Sequence, residues 1–228
     1  MKHVLFILLF IGVFFYNLDA QSRLCPVSRL STIHDEYYEK CESMLLESDR
    51  RGSNDFTVVI RPSFSPESAC FYDEKDSVFV YNVADKPIYY CYNFAYNPSK
   101  RKHMKPRGKV TIIRYQCPVS RETAKHFTRL FTAAVLSSSY LAQSLGLDGT
   151  TYELSIRNSY YAECWSPQEG NCYELVEILH HLSNAIKSND SSAIEKMIPE
   201  VEALCQTFEG LYPDDADMDT MRLLLRNI

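Results

Sequence analysis

Three short runs decide the fold: Phe56-Thr57-Val58-Val59-Ile60, Ala69-Cys70-Phe71-Tyr72 and Ser77-Val78-Phe79-Val80-Tyr81-Asn82-Val83. Each is rich in β-branched and aromatic residues, and each is bounded by turn-prone segments such as Pro62-Ser63 and Asp73-Glu74-Lys75-Asp76. Ile88 to Tyr96 and Lys109 to Tyr115 repeat the pattern, so five strands are expected. Their short connections imply antiparallel neighbours, and therefore a meander.

Outside this block the hydrophobic period becomes helical. Leu30, Ile33, Tyr37, Cys41 and Leu45 predict a helix over 31–50 that stops at Gly52. Ala124, Phe127, Phe131, Ala134, Val135, Leu141 and Leu145 form a second stripe, with Ser120 as N-cap and Gly146 as stop. Thr151 to Arg157 alternates cleanly: Tyr152, Leu154 and Ile156 face one way, and Glu153, Ser155 and Arg157 face the other. That predicts a strand with one wet face. Two amphipathic helices follow, one carrying Leu175, Ile178, Leu179, Leu182 and Ile186, the other Ile194, Ile198, Val201, Cys205 and Phe208. Ser188 to Ser192 turns between them. The expected class is α+β, an antiparallel meander with amphipathic helices packed on one face.

The N-terminus reads as an address. Lys2 precedes an apolar run from Val4 to Phe15, and Leu18-Asp19-Ala20 before Gln21 suits a cleavage site. The run is shorter than the ~20 residues of a spanning helix. Residues 1–20 are therefore expected to be a signal peptide, one that resembles bacterial export leaders, with no transmembrane helix left after cleavage. Residues 21–228 are expected to form one domain. Its parts are an N-terminal helix (21–55), the meander (56–116), a helix-strand-helix-helix unit (117–208) and an acidic tail (209–228). The expected location is periplasmic or extracellular.

Composition narrows the partners. Hydrophobic residues make up 46% and charged residues 23%, which suits a packed domain rather than a disordered one. A net charge of −5 offers no general attraction for nucleic acid. With only seven glycines, the chain has no phosphate-cradling loop and no G-x-S-x-G or H-E-x-x-H signature. No catalytic residue, metal or cofactor is expected. His180 and His181 diverge by about 100° on a helix. Glu177 and His181, four apart, form the better metal pair, yet on a wet helix face they read as solvated.

One segment exceeds background for partner contact. The basic run Ser99-Lys100-Arg101-Lys102-His103-Met104-Lys105-Pro106-Arg107-Gly108-Lys109 joins two strands of an acidic chain, and a connection this long is often functional. Its candidate contacts, Lys100, Arg101, Lys102, His103, Lys105 and Arg107, suit an anionic envelope or extracellular partner. Aromatic density is the other feature, with 16 Tyr and 12 Phe. Ile88, Tyr90, Tyr92, Phe94 and Tyr96 would share one strand face, while the surplus tyrosines Tyr89, Tyr160 and Tyr161 could line a recognition surface.

Eight cysteines in an exported chain meet an oxidising compartment. Cys70 and Cys91 look like partners, but the strand from Ser77 to Val83 would hold them ~9–10 Å apart, beyond disulfide reach. Cys164 and Cys172 flank a reversal-rich loop that contains Trp165, a further candidate for partner contact, and are expected to pair. Cys41 and Cys205 would pair if the first and last helices packed together. Cys-Pro-Val-Ser-Arg occurs twice, at 25–29 and 117–121, and reads as convergent helix-start chemistry.

Three motifs carry a resemblance. Arg61-Pro62-Ser63-Phe64-Ser65-Pro66-Glu67, Leu147-Asp148-Gly149-Thr150-Thr151-Tyr152 and Cys164-Trp165-Ser166-Pro167 resemble a pattern in an uncharacterised family of exported bacterial proteins, over roughly 56–186. The resemblance implies a domain family and lends no activity. The expected function is that of a non-enzymatic binding or interaction module. A hydrolase or transferase with a carboxylate or His base, and an inhibitor or immunity-type protein, are the alternatives.

Overall fold

The computed structural model describes residues 22–27, 33–46, 55–92, 108–142, 148–157 and 159–212. The leader, the basic run from Ser99 to Arg107 and the tail from Pro213 lie outside the described residues.

Among the described residues seven strands form one antiparallel sheet: β1 (Cys25–Pro26), β2 (Phe56–Pro62), β3 (Ser68–Asp73), β4 (Val78–Ala84), β5 (Ile112–Pro118), β6 (Thr150–Ile156) and β7 (Tyr160–Trp165). Their spatial order is β1-β7-β6-β2-β3-β4-β5. The meander is thus β2 to β5, and β6 joins its open edge from Phe56↔Ile156 to Pro62↔Thr150. The two Cys-Pro pairs of the repeated pentapeptide sit on the two outermost strands, β1 and β5. Proline has no N–H to lose there, because an edge strand leaves one side of its ladder unused.

Side chains alternate strictly across this sheet and build two cores. One face carries Phe56, Val58, Ile60, Cys70, Tyr72, Phe79, Tyr152, Leu154 and Ile156. Helices α3 (Arg121–Leu136), α4 (Gly170–Ser188), α5 (Ser191–Lys196) and α6 (Ile198–Glu209) cover it. Aromatic rings join sheet to helix at its centre: Phe56 lies 4.5 Å from Phe131 and Phe79 lies 5.2 Å from Phe127. The opposite face carries Val59, Ala69, Phe71, Val78 and Val80, and α1 (Ile33–Leu45) and α2 (Ile88–Tyr92) pack on it through Cys41, Leu45, Ile88 and Cys91. Helices α3 to α6 occupy one face as expected, and α1 and α2 close the other. Burial on both sides is why β2 to β4 read as nearly continuous apolar runs.

Four local expectations change. Ile88–Tyr92 is a helix, although its aromatics alternate like a strand. The carboxylate of Glu67 accepts the N–H groups of Ile88 (2.6 Å) and Tyr89 (3.0 Å), which satisfies the exposed donors of the first turn. That acceptor arrives from 21 residues away, where no local window can see it. Helix α3 begins as expected, with Ser120 Oγ accepting from Thr123 N, but ends at Ser137 rather than Gly146. The last helix divides into α5 and α6, with Pro199 in the first turn of α6. Finally, the face of β6 expected to be wet is closed at its centre, where Glu153 is 1% exposed, while Thr151, Ser155 and Arg157 stay half-buried.

All eight cysteines are free thiols. Cys70 and Cys91 lie on opposite faces of the sheet, which forbids the pairing more firmly than strand spacing does. Cys41 and Cys205 are separated by the sheet in the same way, so the first and last helices cannot bring them together. Among the described residues no helix is long and apolar enough to cross a membrane.

Candidate functional site

At one end of the sheet the three sequence motifs meet. Ser63 Oγ accepts from Gly149 N (3.0 Å), and Ser63 N donates to Gly149 O (2.8 Å). Thr150 N donates to Ser166 Oγ (2.7 Å), and Ser166 N donates back to Thr150 O (2.9 Å). Segments far apart in the chain are therefore laced through reciprocal hydrogen bonds. Gly149 is required by close approach: a Cβ there would come within 2.5 Å of the Trp165 ring and of Ser166 Oγ. Trp165 thus props the turn from behind and does not line the site. Gly149→Ala is expected to cost ~1–3 kcal/mol by overpacking. Denaturant unfolding measures the loss, and the single tryptophan makes a shift in its emission the local readout.

In front of this knot lies a cleft of about 360 Å³. Tyr37 and Tyr38 from α1, Tyr89 and Tyr90 from α2, and Phe64 from the β2–β3 connection form its walls. Arg61, Ser63, Asp148 and Thr151 supply its polar lining. The rings stand edge to face. Tyr37 and Tyr89 are 5.2 Å apart at 88°, and Tyr89 and Tyr90 are 5.5 Å apart at 86°. Tyr90 donates its hydroxyl to Ser63 O (3.2 Å), which ties α2 to the knot. Phe64 is 69% exposed and Tyr89 and Tyr90 are 40% and 41% exposed, so three of the large apolar side chains left in solvent converge here.

Two buried carboxylates hold lining residues from behind the cleft. Glu67, with no exposed surface, accepts from Tyr37 Oη (2.8 Å) as well as from the two amides of α2. Glu153 accepts from Arg61 Nη2 at 2.9 Å, and both side chains are at most 2% exposed. The Tyr38 ring lies 3.7 Å over the guanidinium. Burial works against the Arg61 charge, but Glu153 outweighs it and holds the group protonated. Arg61 Nε and Nη1 are sealed from solvent and have no hydrogen-bond partner among the described residues.

The thiol and phenol groups nearby stay in their neutral forms. Burial, then Glu67, pushes the Cys41 thiol up to about 12. Burial also raises the Tyr37 and Tyr38 hydroxyls. A nucleophile needs its pKa lowered, so these shifts run the wrong way for covalent chemistry.

The expected site residues fall in different places. Lys100, Arg101, Lys102, His103, Lys105 and Arg107 lie outside the described residues. Of the surplus tyrosines, Tyr89 reaches the cleft, while Tyr160 and Tyr161 stand on β7. Cys164 and Cys172 share the large core, and their mutual hydrogen bond and burial raise the Cys164 thiol well above its usual value. Glu177 contacts His180 (3.6 Å) rather than His181, and His180 Nε2 lies 3.2 Å from Tyr152 Oη. Among the described residues no group of three His, Cys, Asp or Glu side chains is placed to hold a metal. Sequence reading missed Tyr37, Tyr38, Phe64, Tyr90 and Asp148 as one site. The signal that could have found it was the motif set itself, because those motifs supply Arg61, Phe64 and Asp148.

No family model, curated protein or solved structure matches the chain.

Proposed function

We propose that this chain is an exported, non-enzymatic binding module that recognises its ligand in the tyrosine-lined cleft. One observation carries the reading: Phe64, Tyr89 and Tyr90 remain exposed around a preformed concavity instead of joining either core. Aromatic walls with a few fixed polar groups are the usual make-up of a ligand site. The raised Cys41 thiol supports binding over nucleophilic catalysis. The test compares the chain with a Phe64→Ala, Tyr89→Ala, Tyr90→Ala variant by thermal-shift screening against one metabolite library. Truncating exposed rings should move the melting temperature of the free protein by only about 2 °C. Ligands that stabilise the parent chain should lose their effect on the variant. Hits that stabilise both equally would place recognition elsewhere.

Export belongs to the same reading, and rests on the leader and the even cysteine count. In an oxidising compartment the adjacent Cys164 and Cys172 thiols are expected to close into a disulfide, whose short ring is worth ~2–3 kcal/mol. Intact mass and non-reducing peptide mapping of exported material check both points. The expected results are a chain that begins at Gln21 and a linked Cys164–Cys172 peptide. An intact Lys2 leader, or Cys164 alkylated as a free thiol, would remove the respective claim.

A further inference from the structure

Resting on that cleft as the binding site, we infer that its ligand is an organic cation, and specifically a quaternary ammonium group of the choline type. The first argument is shape. Tyr37, Tyr89 and Tyr90 meet at near right angles, so their rings form adjoining walls rather than a flat stack, and Tyr38 and Phe64 complete the enclosure. The faces of such rings carry negative electrostatic potential, and boxes of this kind hold alkylated ammonium groups that cannot hydrogen-bond.

The second argument is charge. The carboxylate of Glu67 lies directly behind the Tyr37 wall, and Asp148 stands exposed on the rim. Tyr37 donates its hydroxyl to Glu67, which pushes electron density into the ring that faces the cleft. Against these, the one cation among the described lining residues is Arg61, and its charge is taken up by Glu153 and by the Tyr38 face. Its remaining donors, Nε and Nη1, are closed off from solvent, so they offer nothing to an incoming anion. The local balance therefore favours a positive ligand. Lys40 Nζ, 4.4 Å over the neighbouring Tyr92 ring, shows the same preference on the adjacent surface.

The third argument is the absence of a need for donors. A quaternary ammonium has no N–H, and its binding comes from desolvated contact with π faces. The ring faces supply that contact, and the exposed Asp148 carboxylate on the rim supplies a counter-charge that needs no N–H from the ligand.

The probe pair is choline and 3,3-dimethylbutan-1-ol, which share shape and differ in charge. Calorimetric titration of the full chain should give saturable choline binding and an affinity for the neutral alcohol at least about tenfold weaker. Tyr89→Leu, which keeps an apolar wall without its π face, should weaken choline by about tenfold, and Tyr89→Phe should stay within about threefold. Phosphatidylcholine vesicles distinguish the source. Co-sedimentation that free choline reverses assigns the ammonium to a lipid headgroup, and none assigns it to a free cation. Equal binding of the neutral alcohol would overturn the inference and leave the cleft as an apolar site. No saturable choline binding would also overturn it. The cleft itself would then stand or fall on the library screen with the Phe64, Tyr89 and Tyr90 variant.

Discussion

Glu153→Ala is expected to destabilise the protein by ~3–5 kcal/mol, because it strands a buried guanidinium without its counter-charge. Arg61 and Glu153 are nearly sealed, and Arg61 Nη2 to Glu153 Oε2 is the contact that balances the arginine. In a domain of this size the loss corresponds to a fall in melting temperature on the order of 10 °C. The paired replacement Arg61→Met with Glu153→Leu removes both charges together and keeps similar volume. It should lie within about 2 kcal/mol of the parent, or above it, because the desolvation cost of both ions disappears with their attraction. Denaturant unfolding of Arg61→Met, Glu153→Leu and the double variant closes the cycle. A double variant as unstable as Glu153→Ala would mean that side-chain volume, not charge, is what the pair supplies. The pair also positions Tyr38 through the contact across the guanidinium face, so Glu153→Ala should loosen one wall of the cleft.

Glu67→Ala is the second large effect, at about 3 kcal/mol. The substitution removes the acceptor for three donors at once, the amides of Ile88 and Tyr89 and the hydroxyl of Tyr37, in a site without solvent. Each buried donor left unmade costs ~1–3 kcal/mol, partly recovered where the chain opens to water. A five-residue helix cannot hold itself by its own hydrogen bonds, so α2 should open locally before the domain unfolds. Hydrogen exchange should therefore show Ile88 to Tyr92 losing protection while β2 to β4 keep theirs. Protection unchanged in α2 would show that apolar packing of Ile88 and Cys91, not the carboxylate, holds the helix in place. Because α2 supplies Tyr89 and Tyr90, the same variant should lose any ligand that depends on the cleft.

These two glutamates mark where sequence reading stopped. The periodicity of β6 places Glu153 on a wet strand face, and Glu67 appears in the sequence only as the end of a motif ahead of a strand. A carboxylate at an outward position normally faces water. Glu153 does not, because α1 covers the second face of the sheet, and α1 and β6 are more than a hundred residues apart. Glu67 does not, because α2 folds over it. The alternation of Ile88, Tyr90 and Tyr92 is a sound strand signal on local grounds. It loses to a helix because Glu67 satisfies the amides of that helix from across the fold, which no local propensity encodes.

By itself the sequence determined the elements with strong periodicity: β2 to β4, β6, the N-cap of α3 and the apolar stripe of α4. In these the burial pattern repeats at the element's own period, so any compact fold must treat them alike. It also contained every motif of the cleft, as three short stretches with no visible relation. Tertiary structure decided the rest. It partitioned the cysteines between two cores, closed the second face and set the helix at 88–92, and the meeting of Arg61 and Phe64 with Asp148 depends on β6 pairing with β2. That pairing joins residues about ninety positions apart, and the closing of so long a loop is fixed by the packing of whole faces rather than by any local signal.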